Sequence, residues 1–513
     1  MRRTGLLETT TLVALLLGGC HAVGPDFTRP NPDSAFSWLS GKGPRAAPAK
    51  SVPVEQPVDP SWWTLFNDPI LTALEQRVAA GNLDLQAAAF RLSESRAQLG
   101  VAQAAQFPLS HANSSYTRTK ASNNGQFALA PNALGASGAS GSTAGGLSGT
   151  HRLSPFDVFQ IGFDASWEID LWGGVKRSVE SASALVEASA EARRTILLST
   201  LAEVARDYIA LRGTQTQLRI ARDSVKTARQ SLSLTQQRAA GGVTTDLDVA
   251  NASAQLRNTT AQIPRLEQQE AAAINALSLL LGQPPNALRD ELETAKPVPP
   301  VPPKVPVGIP SELARRRPDI RQAEAQLHAA TADIGVAIAD FYPAVKISGS
   351  IGLQSIQFAR LFDFNSHMFS AGPGISIPLF EGGRLKATLH FREATQQEAA
   401  INYQRTVLRA WHEVDNALTA YSTEQARREQ LRLAEADNRR ALGLAQSRYQ
   451  QGVADFLAVL DAERNLLATQ QQLADSTATI SSNLVALYKA LGGGWEPDLP
   501  ENNTEPGENI GAR

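Results

Sequence analysis

Three stretches of the chain alternate with a period of two residues. From Phe159, the positions Phe159, Ile161, Phe163, Ala165, Trp167, Ile169 and Leu171 alternate with Gln160, Gly162, Asp164, Ser166, Glu168 and Asp170. From Val345, the apolar positions Val345, Ile347, Ile351 and Leu353 oppose Lys346, Ser348, Ser350 and Gln354. From Phe369, Ile375, Ile377 and Leu379 lie on one side and Ser370, Gly372, Gly374 and Ser376 on the other. Each pattern predicts a strand with one greasy and one wet face. A fourth strand, Leu109 to Thr119, alternates poorly. Such strands fit a half-buried soluble sheet or a lipid-facing outer-membrane barrel with a wet lumen.

The other period is helical. Lys176 to about Ala239 contains no Pro and one Gly, Gly213. Val204, Leu211, Leu218, Val225 and Leu232 repeat every seven residues. Leu201 and Tyr208 fill the alternate seam, but Gln215, Arg222, Arg229 and Gln236 do not, so the seam is partly polar. The predicted helix is ~95 Å long at ~1.5 Å per residue. A return helix follows from about Thr245 to Leu281. The second half has the same plan, Arg384 to about Gln450 and then Leu457 to Leu491. A short helix opens each half, about Pro69 to Gln106 and Ser311 to Ala339.

These matched plans reflect a duplication. Gly100-Val101-Ala102 and Phe107-Pro108 recur as Gly335-Val336-Ala337 and Tyr342-Pro343. Arg238, Gly242, Val243, Leu247 and Val249 recur as Arg448, Gly452, Val453, Leu457 and Val459. The expected organisation is a signal peptide over 1–19, an extended segment over 20–61, and a first repeat over 62–283. A Pro-rich extended linker over 284–310 leads to a second repeat over 311–494 and a disordered polar tail over 495–513.

Four strands leave open edges that lipid does not tolerate. Three chains would supply twelve strands, close a barrel and give the polar-seamed helices neighbours around a hollow tube. The expected fold class is thus an α+β membrane protein: a trimeric twelve-stranded β-barrel continued by a long coiled-coil tunnel.

Composition narrows the function. The 513 residues carry 48 Lys+Arg against 50 Asp+Glu, net −2, which argues against nucleic acid as a partner. The single Cys allows no intrachain disulfide or cysteine-rich zinc site, and no cofactor or metal is expected. His412-Glu413 lacks the second His of a zinc helix, and phosphate-cradling loops and nucleophile elbows are missing, so no enzyme is expected. Arg2 and Arg3, the apolar run Leu12 to Leu17 and Gly18-Gly19 describe a secretory signal. Leu17-Gly18-Gly19-Cys20 resembles a bacterial lipobox, which makes Cys20 the lipidation site and His21 a residue compatible with outer-membrane sorting.

The run Arg315-Arg316-Arg317-Pro318-Asp319-Ile320-Arg321, with Ala323-Glu324 and Ile334-Gly335-Val336-Ala337, resembles the signature of TolC-type outer-membrane efflux proteins. Gly24-Pro25, Trp62-Trp63 and Arg448-Tyr449-Gln450-Gln451-Gly452-Val453 point to the NodT/OprM-like lipoprotein branch. The resemblance implies a homotrimeric duct with a closable tip, a periplasmic adaptor and an inner-membrane pump as partners, and outer-membrane lipid around the barrel. It implies that Gly242, Val243, Gly452 and Val453 form tip turns that meet the adaptor, with Asp248 and Tyr449 bracing neighbouring hairpins. Leu457 and Asp461 become rings at the pore gate. Two departures stand out. The Gly/Ser/Ala/Asn-rich stretch 121–150 is unusually long for a strand connection, and Ala454 stands where some members carry a gate-closing Arg. Multidrug, solvent and protein export all stay open. A periplasmic coiled-coil structural or adhesion lipoprotein without a conduit is the alternative.

Overall fold

The computed structural model describes residues 22–31, 51–120, 155–308, 313 and 315–495. The expected signal peptide, Cys20, the stretch 121–150 and residues 496–513 lie outside them. Packing divides the chain into two units.

Among the described residues, the first unit spans 22–27, 97–120, 155–183 and 329–396. It contains β2 (Leu109–Thr119), β3 (Phe156–Ile169), β5 (Ala344–Ser355) and β6 (His367–Ser376), in that order in one antiparallel sheet. The strand register stacks Ala112, Phe163, Ile351 and Phe369 across one face. Trp167 faces Ile347, and Ile169, Val345 and Ile375 form a further row. On the opposite face His111, Asp164, Ser350 and Ser370 align. That face is tied by Ser350–Ser370 (3.0 Å), Gln354–Gln160 (3.3 Å) and Lys346–Glu168 (3.2 Å). β2 puts Ser110, Ala112, Ser114 and Tyr116 on the apolar side, which is why its alternation is weak in the sequence.

Below the sheet the two repeats meet. The Trp172 ring stacks on Tyr342 with centroids 4.6 Å apart and donates its indole N–H to the Pro343 carbonyl (2.8 Å). Asp170 accepts from the Val175 and Lys176 amides, satisfying the first turn of α3 (Gly174–Ala240). The N-terminal segment seats here too. Val23 donates its amide to Trp172, and the buried Arg177 donates to the Val23 carbonyl and pairs with Asp26 (2.6 Å) and Glu180 (2.8 Å).

The second unit spans residues 28–96, 184–328 and 397–513, as far as these are described. It holds α1 (Pro69–Gly81), α4 (Asp246–Thr260), α5 (Gln262–Leu280), the single turn α6 (Arg289–Leu292) and α9 (Phe456–Ala490), with the parts of α2 (Leu83–Ala104), α3, α7 (Pro318–Ala339) and α8 (Arg384–Gln450) that fall within those ranges. The long helices α3 and α8 each have 67 residues, matching duplicated sequence. The heptad residues Val204, Leu211, Leu218 and Val225 are buried. Trp62, Phe66, Leu71, Leu74, Tyr421, Leu484 and Tyr488 belong to the same core as the upper α3 seam.

Several expectations need correction. The opening helix of the first repeat is two helices. Asn82 separates them, accepting from the Leu85 amide (3.0 Å) and donating to the Leu280 carbonyl (2.8 Å). A Cβ on Gly81 would lie 2.6 Å from the Leu281 oxygen, and one on Gly282 would lie 2.4 Å from the Gly81 oxygen, so both must be glycine. The return helix also breaks at Ala261, because Pro264 has no N–H for the Thr260 carbonyl. The linker is more than an extended connector. It carries α6 and β4 (Lys304–Pro306), which pairs in parallel with β1 (Val52–Val54), and it buries Leu288, Leu292, Val305 and Val307. Gln215 is not a wet seam position: it is 3% exposed, accepts from Arg212 and donates to Glu270 and the Leu292 carbonyl. Trp495 is not tail, since Arg194 and Arg321 lie over its ring at 4.9 and 5.3 Å.

The Arg-rich run at 315–321 has a packing role. Arg317 is buried, pairs with Asp319 (2.6 Å) and Glu413 (2.8 Å), and donates to the Ala490 carbonyl at the end of α9 (2.9 Å). Arg321 reaches the buried Glu191 (2.7 Å), which also holds Arg194.

Glu75 on α1 is the odd group in this core. It is 1% exposed, and neither carboxylate oxygen has a hydrogen-bond partner among the described residues. Burial pushes its carboxyl well above the usual range, which favours the neutral form. A raised folded-state value stabilises fully below the unfolded carboxylate range and is lost as pH rises through the folded value. The melting temperature of detergent-purified protein is therefore expected to fall as pH rises through that window, and Glu75→Gln to flatten the slope. A wild-type slope in the variant would assign the effect to Glu191, Asp207 and Glu463, which burial also raises.

Candidate functional site

The two helical turns that the repeats share are built alike. Gly242 and Gly452 adopt φ of 71° and 78°, the left-handed region, and end α3 and α8. In each turn the glycine amide bonds the carbonyl three residues back, Ala239 or Tyr449. The following valine amide bonds the carbonyl five residues back, Arg238 or Arg448. This is a Schellman cap, in which a non-glycine residue would be strained. The valines that follow, Val243 and Val453, are 65% and 62% exposed.

A small core ties the turns together. Ala252, Leu442, Tyr449, Phe456, Val459 and Leu460 are buried in one cluster, with the Tyr449 and Phe456 rings 5.5 Å apart. Arg238 donates to the Tyr449 carbonyl (2.6 Å) and the Gln450 carbonyl (3.2 Å), with its guanidinium 4.6 Å from the Tyr449 ring. A cation at the carbonyl end of α8 also complements that helix's dipole. One turn-bearing arm thus holds the other within the chain. Deeper in, Ser231 of α3 bonds Glu463 of α9, whose carboxyl burial raises against the opposing pull of Ser231 and Gln446.

The structure places the expected site residues in two environments. Tyr449 is buried, and its hydroxyl has no partner among the described residues. Asp248 faces its own turn. It closes a capping box with Thr245 at the start of α4 and accepts from the Thr244 hydroxyl. Within the chain Asp248 bonds its own turn, while Tyr449 meets Arg238 and clusters with Ala252 of the other arm. Leu457 is 57% exposed and Asp461 is exposed, one turn apart on α9, while Phe456, Val459, Leu460 and Glu463 fill its buried face. The repeat counterpart of Leu457, Leu247, is likewise exposed at 68%. Sequence reasoning used Arg238 only as a repeat marker and passed over Glu463. The signal for Arg238 was its place four residues before Gly242, within reach of a facing helix end.

The sheet is the other candidate surface. Ile351, Phe369, Phe163 and Ile375 are 66%, 77%, 65% and 69% exposed on one face, far more apolar surface than a soluble sheet leaves bare. Among the described residues, the outer edges of β2 and β6 pair with no strand. No described helix is long and apolar enough to cross a membrane.

Comparison with known proteins agrees with this geometry. The family described as Outer membrane efflux protein matches residues 74–283 and 309–493. The probable outer membrane lipoprotein SilC of Salmonella typhimurium is 32% identical over 499 residues, 96% of this chain and 100% of SilC. Outer membrane protein OprJ of Pseudomonas aeruginosa is 31% identical over 97% of each chain. Among solved structures, the outer-membrane channel OprN superposes with a TM-score of 0.80 at 32% identity, covering 93% of this chain and 100% of OprN. Duplicated helix-and-strand halves, a two-faced sheet and full-length similarity lead to one conclusion: this chain belongs to the outer membrane efflux protein family.

Proposed function

We propose that the chain is the outer-membrane component of a tripartite efflux system and acts there as a passive gated duct. Three copies join their four-stranded sheets into a twelve-stranded barrel, and their long helices form a periplasmic tunnel. An inner-membrane pump loads the duct through a periplasmic adaptor. The observation that carries this reading is the sheet, whose bare apolar face and unpaired edges suit lipid and further strands. The relatives include proteins named for antibiotic, solvent and toluene efflux and for pyoverdine export. Such names describe those proteins, and the cargo of this one follows from its pump.

In the duct, the exposed Val243, Val453 and Leu247 at the Gly242 and Gly452 turns are the surface offered to the adaptor. Leu457 and Asp461 face the pore and form the gate. Reconstitution in planar bilayers tests the reading: the purified protein is expected as a trimer that conducts ions. A monomer without conductance would leave a periplasmic structural lipoprotein instead.

The lipid anchor is tested separately. Changing Cys20 to Ser is expected to abolish incorporation of labelled palmitate, with channel activity partly retained because the barrel itself holds the trimer. Equal labelling of the variant would remove Cys20 as the attachment site.

A further inference from the structure

A cavity of about 630 Å³ opens in the second unit, where the linker at Lys296 to Val298 crosses α3, α8 and α9. Its wall carries Arg219, Lys296, Arg428 and Arg439 against one carboxylate, Glu435. Glu435 is already engaged by Arg439 (Nε 3.1 Å) and Gln470 (3.1 Å). Arg428 spends its Nε on the Thr477 hydroxyl (3.0 Å). Among the described residues, Arg219 and Lys296 make no ion pair or side-chain hydrogen bond.

The floor adds to the positive field. Gln215 lines the cavity and accepts from Arg212 (2.7 Å). Arg212 is wholly buried, with Nε and Nη2 making no hydrogen bond among the described residues and Nη1 shared between Gln215 and the Leu292 and Thr294 carbonyls. Glu270 meets Gln215 and not the guanidinium, which lies 4.8 Å from the Tyr208 ring. The Tyr208 ring answers part of that buried charge, and an anion in the cavity would answer more of it. Apart from Thr216, the remaining lining is apolar, with Ile220, Val298, Leu473 and Ala474. The volume is in the range of small-molecule sites, and convergent polar groups on an apolar wall are their usual form.

We infer that this cavity binds a small organic anion, with its carboxylates on Arg219 and Lys296 and its apolar body against Leu473 and Val298. Planar forks and a point charge suit carboxylates, and the apolar wall selects against bare inorganic ions. The site is independent of the gate and of the barrel.

Phthalate is a suitable probe, with pyrophosphate as the charge-only comparison and sodium chloride at matched ionic strength. Calorimetric titration of the detergent-purified full-length protein is expected to show saturable phthalate binding, at least fivefold tighter than pyrophosphate. The double variant Arg219→Gln/Lys296→Gln should weaken it at least tenfold while leaving oligomeric state and melting temperature unchanged. Leu473→Ala should weaken phthalate about threefold and leave pyrophosphate alone. Absence of saturable binding, pyrophosphate binding as tight as phthalate, or an unaltered affinity in the double variant would each overturn the assignment. If the double variant fails to assemble, Arg219→Lys, which keeps the charge but loses the fork, is expected to weaken binding on a normal fold, and unchanged affinity there counts against the proposal.

Discussion

Replacing Ile351 by Lys is expected to reduce trimer in the outer-membrane fraction by more than tenfold, whereas Ser350→Lys leaves the yield within about twofold. The two residues are neighbours in β5 and point to opposite faces. Ile351 stands in the row Ala112, Phe163, Ile351 and Phe369, near the middle of the strands. Its side chain is 66% exposed although it is apolar, so lipid is the environment that suits it. A Lys on the lipid face near the midplane costs about 2–4 kcal/mol. Threefold assembly imposes that cost three times, and about 1.4 kcal/mol already changes an equilibrium tenfold. Ser350 lies on the other face, bonded to Ser370 and across from Asp164. A Lys there enters a wet surface and gains an acidic neighbour. The readout is the amount of heat-resistant trimer after detergent extraction. Equal yields for the two variants would overturn the lipid-facing assignment.

The parts of the fold that the sequence exposed are those where one physical rule acts alone. Period-two alternation marked β3, β5 and β6 because each has one bare apolar face, and it failed for β2, whose apolar side is Ser110, Ala112 and Ser114. Glycine after a long helical run marked both Schellman caps, because the left-handed turn excludes other residues at little cost only for glycine. The helix breaks fall at Asn82 and just before Pro264, residues that carry a break signal of their own. Gln215 and Trp495 were misjudged for another reason. Their burial depends on partners far along the chain, Leu292 and Glu270 for one, Arg194 and Arg321 for the other. No local pattern carries that information. The same limit hid the Arg238 link to the end of α8.

The gate is where such long-range partners matter most. Asp461 and Leu457 share the exposed face of α9, while the opposite face is fixed by Phe456, Val459, Leu460 and Glu463. The helix therefore has little freedom to turn either residue inward, and both must meet solvent or a neighbouring copy. On the proposed reading this face lines the pore of a threefold duct and presents a ring of three leucines beside a ring of three carboxylates. The leucines would then close the ring by apolar contact. Truncating a buried Leu to Ala typically costs about 2–5 kcal/mol. Even a loss of about 1.4 kcal/mol would raise the open population tenfold, starting from a mostly closed tip. Leu457→Ala is therefore expected to raise single-channel conductance or open probability on the order of tenfold. The carboxylates act on charge and not on closure, since a ring of acids favours cations at a constriction. Asp461→Ala should shift the reversal potential in a salt gradient toward that of an unselective pore, with a much smaller change in open probability. The Arg238 link supplies a contrast. It holds the arms within one chain at the Tyr449 and Gln450 carbonyls, so Arg238→Ala should raise open probability without moving the reversal potential. Planar-bilayer recording of the three variants separates the roles. If Leu457→Ala leaves conductance unchanged and Asp461→Ala leaves the reversal potential unchanged, neither residue faces the pore, and the exposed face of α9 meets bulk solvent.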